Sequence, residues 1–259
     1  MLTRLAVFVY GSTAYALFFA TFLYAVGFVG GFAVPRSIDS TPTLPAWQAV
    51  LINALLLAVF AVQHSVMARP FFKRWLTRFI PQPAERSTYV LASSAALLLL
   101  FWQWQPMGLV IWNVTAPAAV AALYALFAFG WLTVLVTTFL INHFDLFGLR
   151  QVWCFLRGQA YRPLPFTTPG PYRHVRHPLY VGWLFAFWAT PTMTAAHLFF
   201  ALMTTAYILV AIQFEERDLA GVHPEYHAYR HRVPMLIPGL DRAVQWLRHR
   251  TPRPASGRA

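Results

Sequence analysis

The sequence predicts an all-α integral membrane protein of five to six transmembrane helices that closes on a C-terminal helical hairpin. Of its 259 residues, 58% are hydrophobic and 11% charged, against roughly 25% charged residues in a soluble domain. Its apolar runs are long enough for helices that cross the roughly 30 Å hydrocarbon core. Its cations are also asymmetric: of the 20 Lys and Arg residues, all but Arg36 fall on one side of those runs, the pattern that sets membrane orientation.

The run Leu5 to Val34 carries no charge. At about 1.5 Å per residue it exceeds the hydrocarbon thickness, and no small-residue cleavage pattern follows it, so it is the first membrane helix and not a signal peptide. Pro35, Asp39, Pro42 and Pro45 then mark a short polar loop. Trp47 to Met67 is the second span. From Ala68 to Phe79, Arg69, Lys73, Arg74 and Arg78 alternate with Phe71, Phe72, Trp75 and Phe79, the character of a helix lying in the membrane interface. Thr88 to Trp104 is the third span, with Trp102 and Trp104 at belt positions, and Thr115 to Ile141 is the fourth.

Asn142 to Pro178 holds too many charges and prolines to cross and reads as a cytosolic or re-entrant element. Leu179 to Phe214 is apolar but interrupted by Pro191. A single helix of that length would overshoot the bilayer, so it reads as a hairpin with arms at about 179–190 and 194–214. The chain thus divides into a four-span scaffold (1–141), a cytosolic connection with the hairpin (142–240), and a basic, flexible tail (241–259). The charge asymmetry puts both termini, the Arg173 to His177 cluster and Glu215 in the cytosol.

Cys154, the one cysteine, excludes an intramolecular disulfide and a cysteine-rich zinc knuckle, and reads as a small apolar filler. A net charge of +12 invites a nucleic-acid reading. The cations, however, sit beside apolar spans, where they serve orientation and anionic lipid, and the chain carries no aromatic and basic platform. His223, His227 and His231 are four apart, but Glu225 is misplaced for a zinc-protease motif and Pro224 opens the segment, so no metal site is assigned.

The densest polar stretch is Tyr172-Arg173-His174-Val175-Arg176-His177-Pro178-Leu179-Tyr180. Pro178 suits a first helical turn, where free amides attract an anion such as a carboxylate or phosphate. A surface anchor would need cations alone; paired His and Tyr point to a ligand. Glu215 and Glu216 lie beside hydrocarbon, which is costly unless each finds a partner. The arginines of the first cluster supply a partner for one of them, and the other is left to accept hydrogen bonds from a ligand. His197, near the opposite face, reads as structural.

Arg176-His177-Pro178-Leu179-Tyr180-Val181-Gly182, an apolar hairpin, Glu215-Glu216, then Tyr226 to Arg230 and Val233-Pro234 to Ile237-Pro238 resemble the isoprenylcysteine carboxyl methyltransferase and phospholipid methyltransferase superfamily. Upstream, Gln63-His64 to Arg69-Pro70, Glu85-Arg86-Ser87-Thr88-Tyr89 and Asn142-His143-Phe144-Asp145 to Arg150 resemble one branch, the bacterial methanethiol S-methyltransferases, relatives of the NnrU group. The resemblance implies a multi-span protein of a bacterial inner membrane that uses S-adenosyl-L-methionine at a cytosolic site to methylate a small apolar thiol.

The resemblance also implies that Tyr172, His174, His177, Tyr180, Glu215 or Glu216, Tyr229 and Arg230 line the cofactor pocket, with Arg173 or Arg176 on the methionyl carboxylate. These residue types suit such a ligand. Topology brings His64, at the end of the second span, and Asn142, His143 and Asp145, after the fourth, to the same depth, as candidates to activate the thiol; a satisfied packing histidine is the other reading of His64. The alternative functions are methylation of an isoprenylcysteine or a phospholipid, a non-enzymatic NnrU-like protein, or a sterol-reductase-like NADPH enzyme.

Overall fold

A computed structural model describes residues 1–238, so the tail expected at 241–259 lies outside the described residues. The elements in chain order are α1 (Leu2–Gly30), α2 (Ala46–Ala68), α3 (Pro70–Leu76), α4 (Glu85–Gln103), β1 (Val110–Asn113), α5 (Pro117–Ile141), α6 (His143–Leu146), α7 (Leu149–Leu156), α8 (Pro178–Trp188), β2 (Thr192–Thr194), α9 (Ala195–Val222) and α10 (Glu225–Arg232). Four of them, α1, α2, α5 and α9, are long and apolar enough to cross a membrane. Rows of exposed apolar side chains run along α2 (Leu51, Leu55, Val59, Val62) and α5 (Phe129, Leu132, Val136). Spacings of three and four put each row on one helical face, and a soluble protein does not leave such faces bare.

The bundle closes as a ring. α5 packs along α8, α8 against α9, α9 against α2, α2 against α4, and α4 against α1. Phe22 meets Trp131 edge-on at 5.3 Å across the remaining seam between α1 and α5. Phe28, Leu100, Phe101, Trp104, Phe187 and Phe200 fill the end of the bundle away from the polar site. There, β1 and β2 form an antiparallel ribbon, and Asp39 accepts from the Thr194 hydroxyl and lies 3.2 Å from His197 Nδ1. His197 is buried, and its Nε2 lies 2.9 Å from the Phe187 carbonyl, so this histidine pins loop to helix.

The structure departs from the sequence reading at five points. α9 does not stop at 214 but carries Glu215 and Glu216 within its last turns, because the buried charge of Glu216 is neutralised by side chains from other elements. α8, the first hairpin arm, is 11 residues, about 16 Å at 1.5 Å per residue, and ends short of Pro191. The interfacial segment is helical only over Pro70–Leu76. The polar connection holds α6, α7 and a 3-10 turn at Gly170–Arg173, and the β ribbon adds a small exception to an otherwise helical fold.

α5 and α8 touch backbone to backbone. A Cβ on Gly182 would come within 2.8 Å of the Gly130 carbonyl oxygen, and one on Gly130 within 2.5 Å of the Ala186 nitrogen. Small residues at a crossing allow this approach where no water drives helices together. Gly182→Val is therefore expected to push α8 off α5 and displace Tyr180, two residues earlier on the same helix, lowering the melting temperature and the affinity for S-adenosylhomocysteine together. Unchanged melting and binding would refute the close-packing account.

Candidate active site

Three segments build the polar site: the turn into α8, the last turns of α9, and α10. Pro178 occupies the first turn of α8 after His177. The approach to it is held by Arg176 N donating to the Pro234 carbonyl at 2.8 Å and His177 N to Met235 at 3.2 Å, which is why the Val233–Pro238 stretch matters to a site upstream of it.

The two glutamates have different surroundings. Glu216 is 3% exposed. Its Oε1 accepts from Arg176 Nε at 2.7 Å and from His177 Nε2 at 3.0 Å, and its Oε2 lies 3.1 Å from Arg230 Nε. Arg176 is further fixed by its NH1, which donates to the Arg230 and Val233 carbonyls at 2.9 and 2.5 Å. A buried carboxylate with three cationic or donor partners is a structural hub. The Glu215 side chain is 46% exposed and accepts one hydrogen bond, from Tyr180 Oη at 2.9 Å. Glu215 is thus the glutamate with capacity for a ligand.

Tyrosines close the other side. Tyr229 Oη donates to the Tyr172 carbonyl at 2.6 Å, and burial, with Glu216 adding and Arg176 opposing, pushes its pKa up to about 12. Burial, then the Glu215 carboxylate and Tyr229, raise that of Tyr172. Both hydroxyls therefore stay protonated and serve as donors. The buried Tyr226 hydroxyl faces the Glu216 carboxylate but makes no well-formed hydrogen bond among the described residues. Arg173 and His174 are exposed and line an open groove with Gly170, Val181 and Leu236. With Arg176 committed to Glu216, Arg173 is the arginine available for an anionic group.

Behind this cluster a cavity of about 390 Å³ lies among the helices. Its walls are apolar, including Phe18, Phe22, Leu57, Phe101, Trp183 and Phe187. Toward the end nearest Tyr180 lie His64, Arg86, Tyr89, Ser93 and His143. Tyr89 Oη lies 2.8 Å from His64 Nε2 and Ser93 Oγ 3.3 Å from His64 Nδ1, while Phe60 stacks on the ring at 5.2 Å. Arg86 Nε donates to the Leu146 carbonyl at 2.9 Å, and its guanidinium sits 5.5 Å over Tyr89. His143 is buried between Tyr15 Oη at 2.8 Å and Thr138 Oγ1 at 2.7 Å, stacked on Phe139 at 4.1 Å; burial lowers its pKa.

The other two acceptor-side candidates do not reach the cavity. Asn142, at φ 145°, turns the chain out of α5, and its Oδ1 accepts from Asp145 N at 3.0 Å to cap α6. Asp145 accepts from Arg150 at 3.0 Å and Tyr161 at 3.2 Å. Both build the turn that presents His143.

The phospholipid methyltransferase family model matches residues 118–225, from α5 to the start of α10. The methanethiol S-methyltransferase of Crocosphaera subtropica is 57% identical over 242 residues, 93% of this chain and 95% of that one. The chain belongs to the methanethiol S-methyltransferase family. The family member from Mycobacterium tuberculosis is 56% identical over 236 residues, 91% of this chain and 97% of its own. Nurim of Mus musculus is 33% identical over 173 residues, 63% of this chain and 65% of its own. No solved structure matches. Membership and the four apolar helices together make this a multi-pass membrane protein.

Two residues of this methyltransferase-family cavity, Arg86 and Tyr89, belonged to the resembling upstream pattern but were not read as site residues, and Ser93 was not noticed. A signal existed. Positions 86, 89 and 93 follow i, i+3, i+7 spacing, which aligns three polar groups on one face of an apolar helix, the same face that meets His64.

Proposed function

We propose that the protein transfers a methyl group from S-adenosyl-L-methionine to methanethiol, giving dimethyl sulfide. The observation that carries this reading is the position of Tyr180: it lines the apolar cavity while its hydroxyl donates to Glu215 in the polar cluster. One side chain thus joins an apolar acceptor space to a site with the donors and acceptors that a charged, ribose-bearing cofactor requires. The names of the relatives support the same acceptor.

Bound there, S-adenosyl-L-methionine supplies an electrophilic methyl group on a sulfonium. Glu215 would accept from its amine or ribose hydroxyls, Arg173 would pair with its carboxylate, and Tyr172 and Tyr180 would flank it; His177, Arg176, Glu216, Tyr229 and Arg230 would hold that frame. His174 lies on the open side with Arg173. His64, braced by Tyr89 and Ser93, orients the thiol and takes its proton, since thiolate is the nucleophile. His143, held neutral by burial, lines the same space. The walls exclude water and fix the line of attack.

The charge asymmetry supports a cytosolic polar site, with the segments before α1 and after α10 on that side, in a bacterial inner membrane. α4 and α8 complete five to six spans beside the four long helices, residues 1–141 forming the acceptor-side scaffold and 142–240 the cofactor-side region. Two measurements on the purified protein in nanodiscs test the reading: S-adenosylhomocysteine binding by calorimetry, and dimethyl sulfide release from methanethiol. We expect micromolar binding and turnover. Binding of NADPH in place of S-adenosylhomocysteine, or no thioether from any thiol, overturns it.

A further inference from the structure

Resting on that reading, we propose that the cavity also accepts larger apolar thiols, alkyl or aryl, and that the protein S-methylates them. Methanethiol has two heavy atoms, yet the cavity measures about 390 Å³. An engineered cavity of about 150 Å³ already holds benzene. The cavity is partly open, with the exposed Phe19 in its wall, so a tail larger than a methyl group has both room and a way in.

The shape agrees with the size. On α1 the lining runs from Phe18 to Val29, and on α9 from Phe200 to Ala211, each about 16 Å of helix at 1.5 Å per residue. His64, Tyr89 and Tyr180 occupy one end, and Ala25, Val29, Leu57 and Phe101 lie toward the other. Deeper polar groups are inward-satisfied: the Thr21 hydroxyl donates to the Leu17 carbonyl and that of Ser94 to Val90. The lining polar group there without a partner among the described residues is the indole Nε1 of Trp131, a single donor that cannot meet the carboxylate, amine and ribose of the cofactor together. The deep end suits a hydrocarbon tail. A chain of about four to eight carbons fits within that length with its sulfur at the polar end.

The chemistry is unchanged by the tail. The thiol proton leaves to His64 and then solvent, the thiolate sulfur forms a bond to the methyl carbon, and the carbon–sulfonium bond breaks with its electron pair retained by the departing sulfur. The products are an alkyl methyl thioether and S-adenosylhomocysteine.

The test uses the wild-type protein in nanodiscs with methanethiol, 1-butanethiol, 1-hexanethiol and thiophenol, each at saturation so that partition into lipid does not enter, with thioethers identified by mass spectrometry. Hexyl methyl sulfide is expected at a rate within about tenfold of dimethyl sulfide. Turnover of methanethiol with the butyl, hexyl and phenyl thiols slower by a thousandfold or more would overturn this inference and leave the methanethiol reading intact. Turnover of the larger thiols without methanethiol would support it and sink the smaller acceptor; no product from any thiol removes both. Ala25→Phe on α1 and, independently, Leu57→Phe on α2 fill the deep end. Each should lower the hexanethiol-to-methanethiol rate ratio by about tenfold or more. An unchanged ratio in both variants means the tail does not enter this cavity, and the inference fails.

Discussion

Glu216→Ala is expected to destabilise the protein by about 3–5 kcal/mol, whereas Glu215→Gln, one residue away, should leave stability nearly unchanged and cost at least about tenfold in S-adenosylhomocysteine affinity. The opposition follows from what each carboxylate faces. Removing Glu216 strands the Arg176 guanidinium, 9% exposed, without its counter-charge and the His177 ring, 4% exposed, without its acceptor, and an unpaired buried charge costs more than the pair contributes. It also releases Arg230, and with it the tie between α10 and the turn into α8. Glu215 accepts from Tyr180, stands 3.9 Å from His177 Nδ1 and is otherwise half-exposed, so its amide isostere gives up little within the protein beyond ligand-directed acceptance. Thermal unfolding of the ligand-free protein and calorimetry with S-adenosylhomocysteine separate the two. Equal losses of stability in both variants, or a Glu216→Ala protein that melts like wild type, would falsify the division of labour.

The parts of this fold legible in the sequence were those whose cause is local. Uncharged runs announce spans, so the second was read at Trp47–Met67 and stands at Ala46–Ala68. The pairing of Glu216 with an arginine of the earlier cluster was legible, and it is Arg176, 40 positions earlier in sequence; that α9 runs on past it to Val222 was not, because Glu215, Glu216, Arg217 and Asp218 end the apolar run that marked the span. The β ribbon was hidden too: Val110-Ile111-Trp112-Asn113 has no alternation, and its pairing with Thr192–Thr194 comes from the return of α8 beside α5. At the site, Arg176, His177, Tyr180 and the two glutamates were conspicuous because polar groups at the edge of an apolar helix need a reason. Which glutamate would be consumed by structure depends on a 100° step around α9 that composition does not encode. Asn142 and Asp145 were conspicuous too, but their partners are within their own turn and at Arg150 and Tyr161, so they shape the site without lining it.

His64→Ala is expected to lower turnover of methanethiol at pH 7 by about 10²–10⁴-fold while leaving S-adenosylhomocysteine affinity at the wild-type value. The imidazole lines the cavity and belongs to α2, whereas every residue proposed to touch the cofactor lies between Tyr172 and Arg230. Loss of the ring should therefore divide cleanly between turnover and cofactor binding. Because a thiol is mostly protonated near neutral pH and only its thiolate attacks, a variant without the base depends on solvent for deprotonation. Its rate should climb about tenfold per pH unit until the thiol ionises, and the gap to wild type should narrow accordingly. Tyr89→Phe removes the hydroxyl 2.8 Å from the ring but keeps the ring itself, so it should show a smaller fall in turnover without the pH rescue. A His64→Ala protein that loses cofactor binding, or that retains full activity at pH 7, would transfer the role to His143, the other histidine on the cavity wall. The same pH series on His143→Ala would then decide between a second base and a pocket that binds thiolate directly from solution.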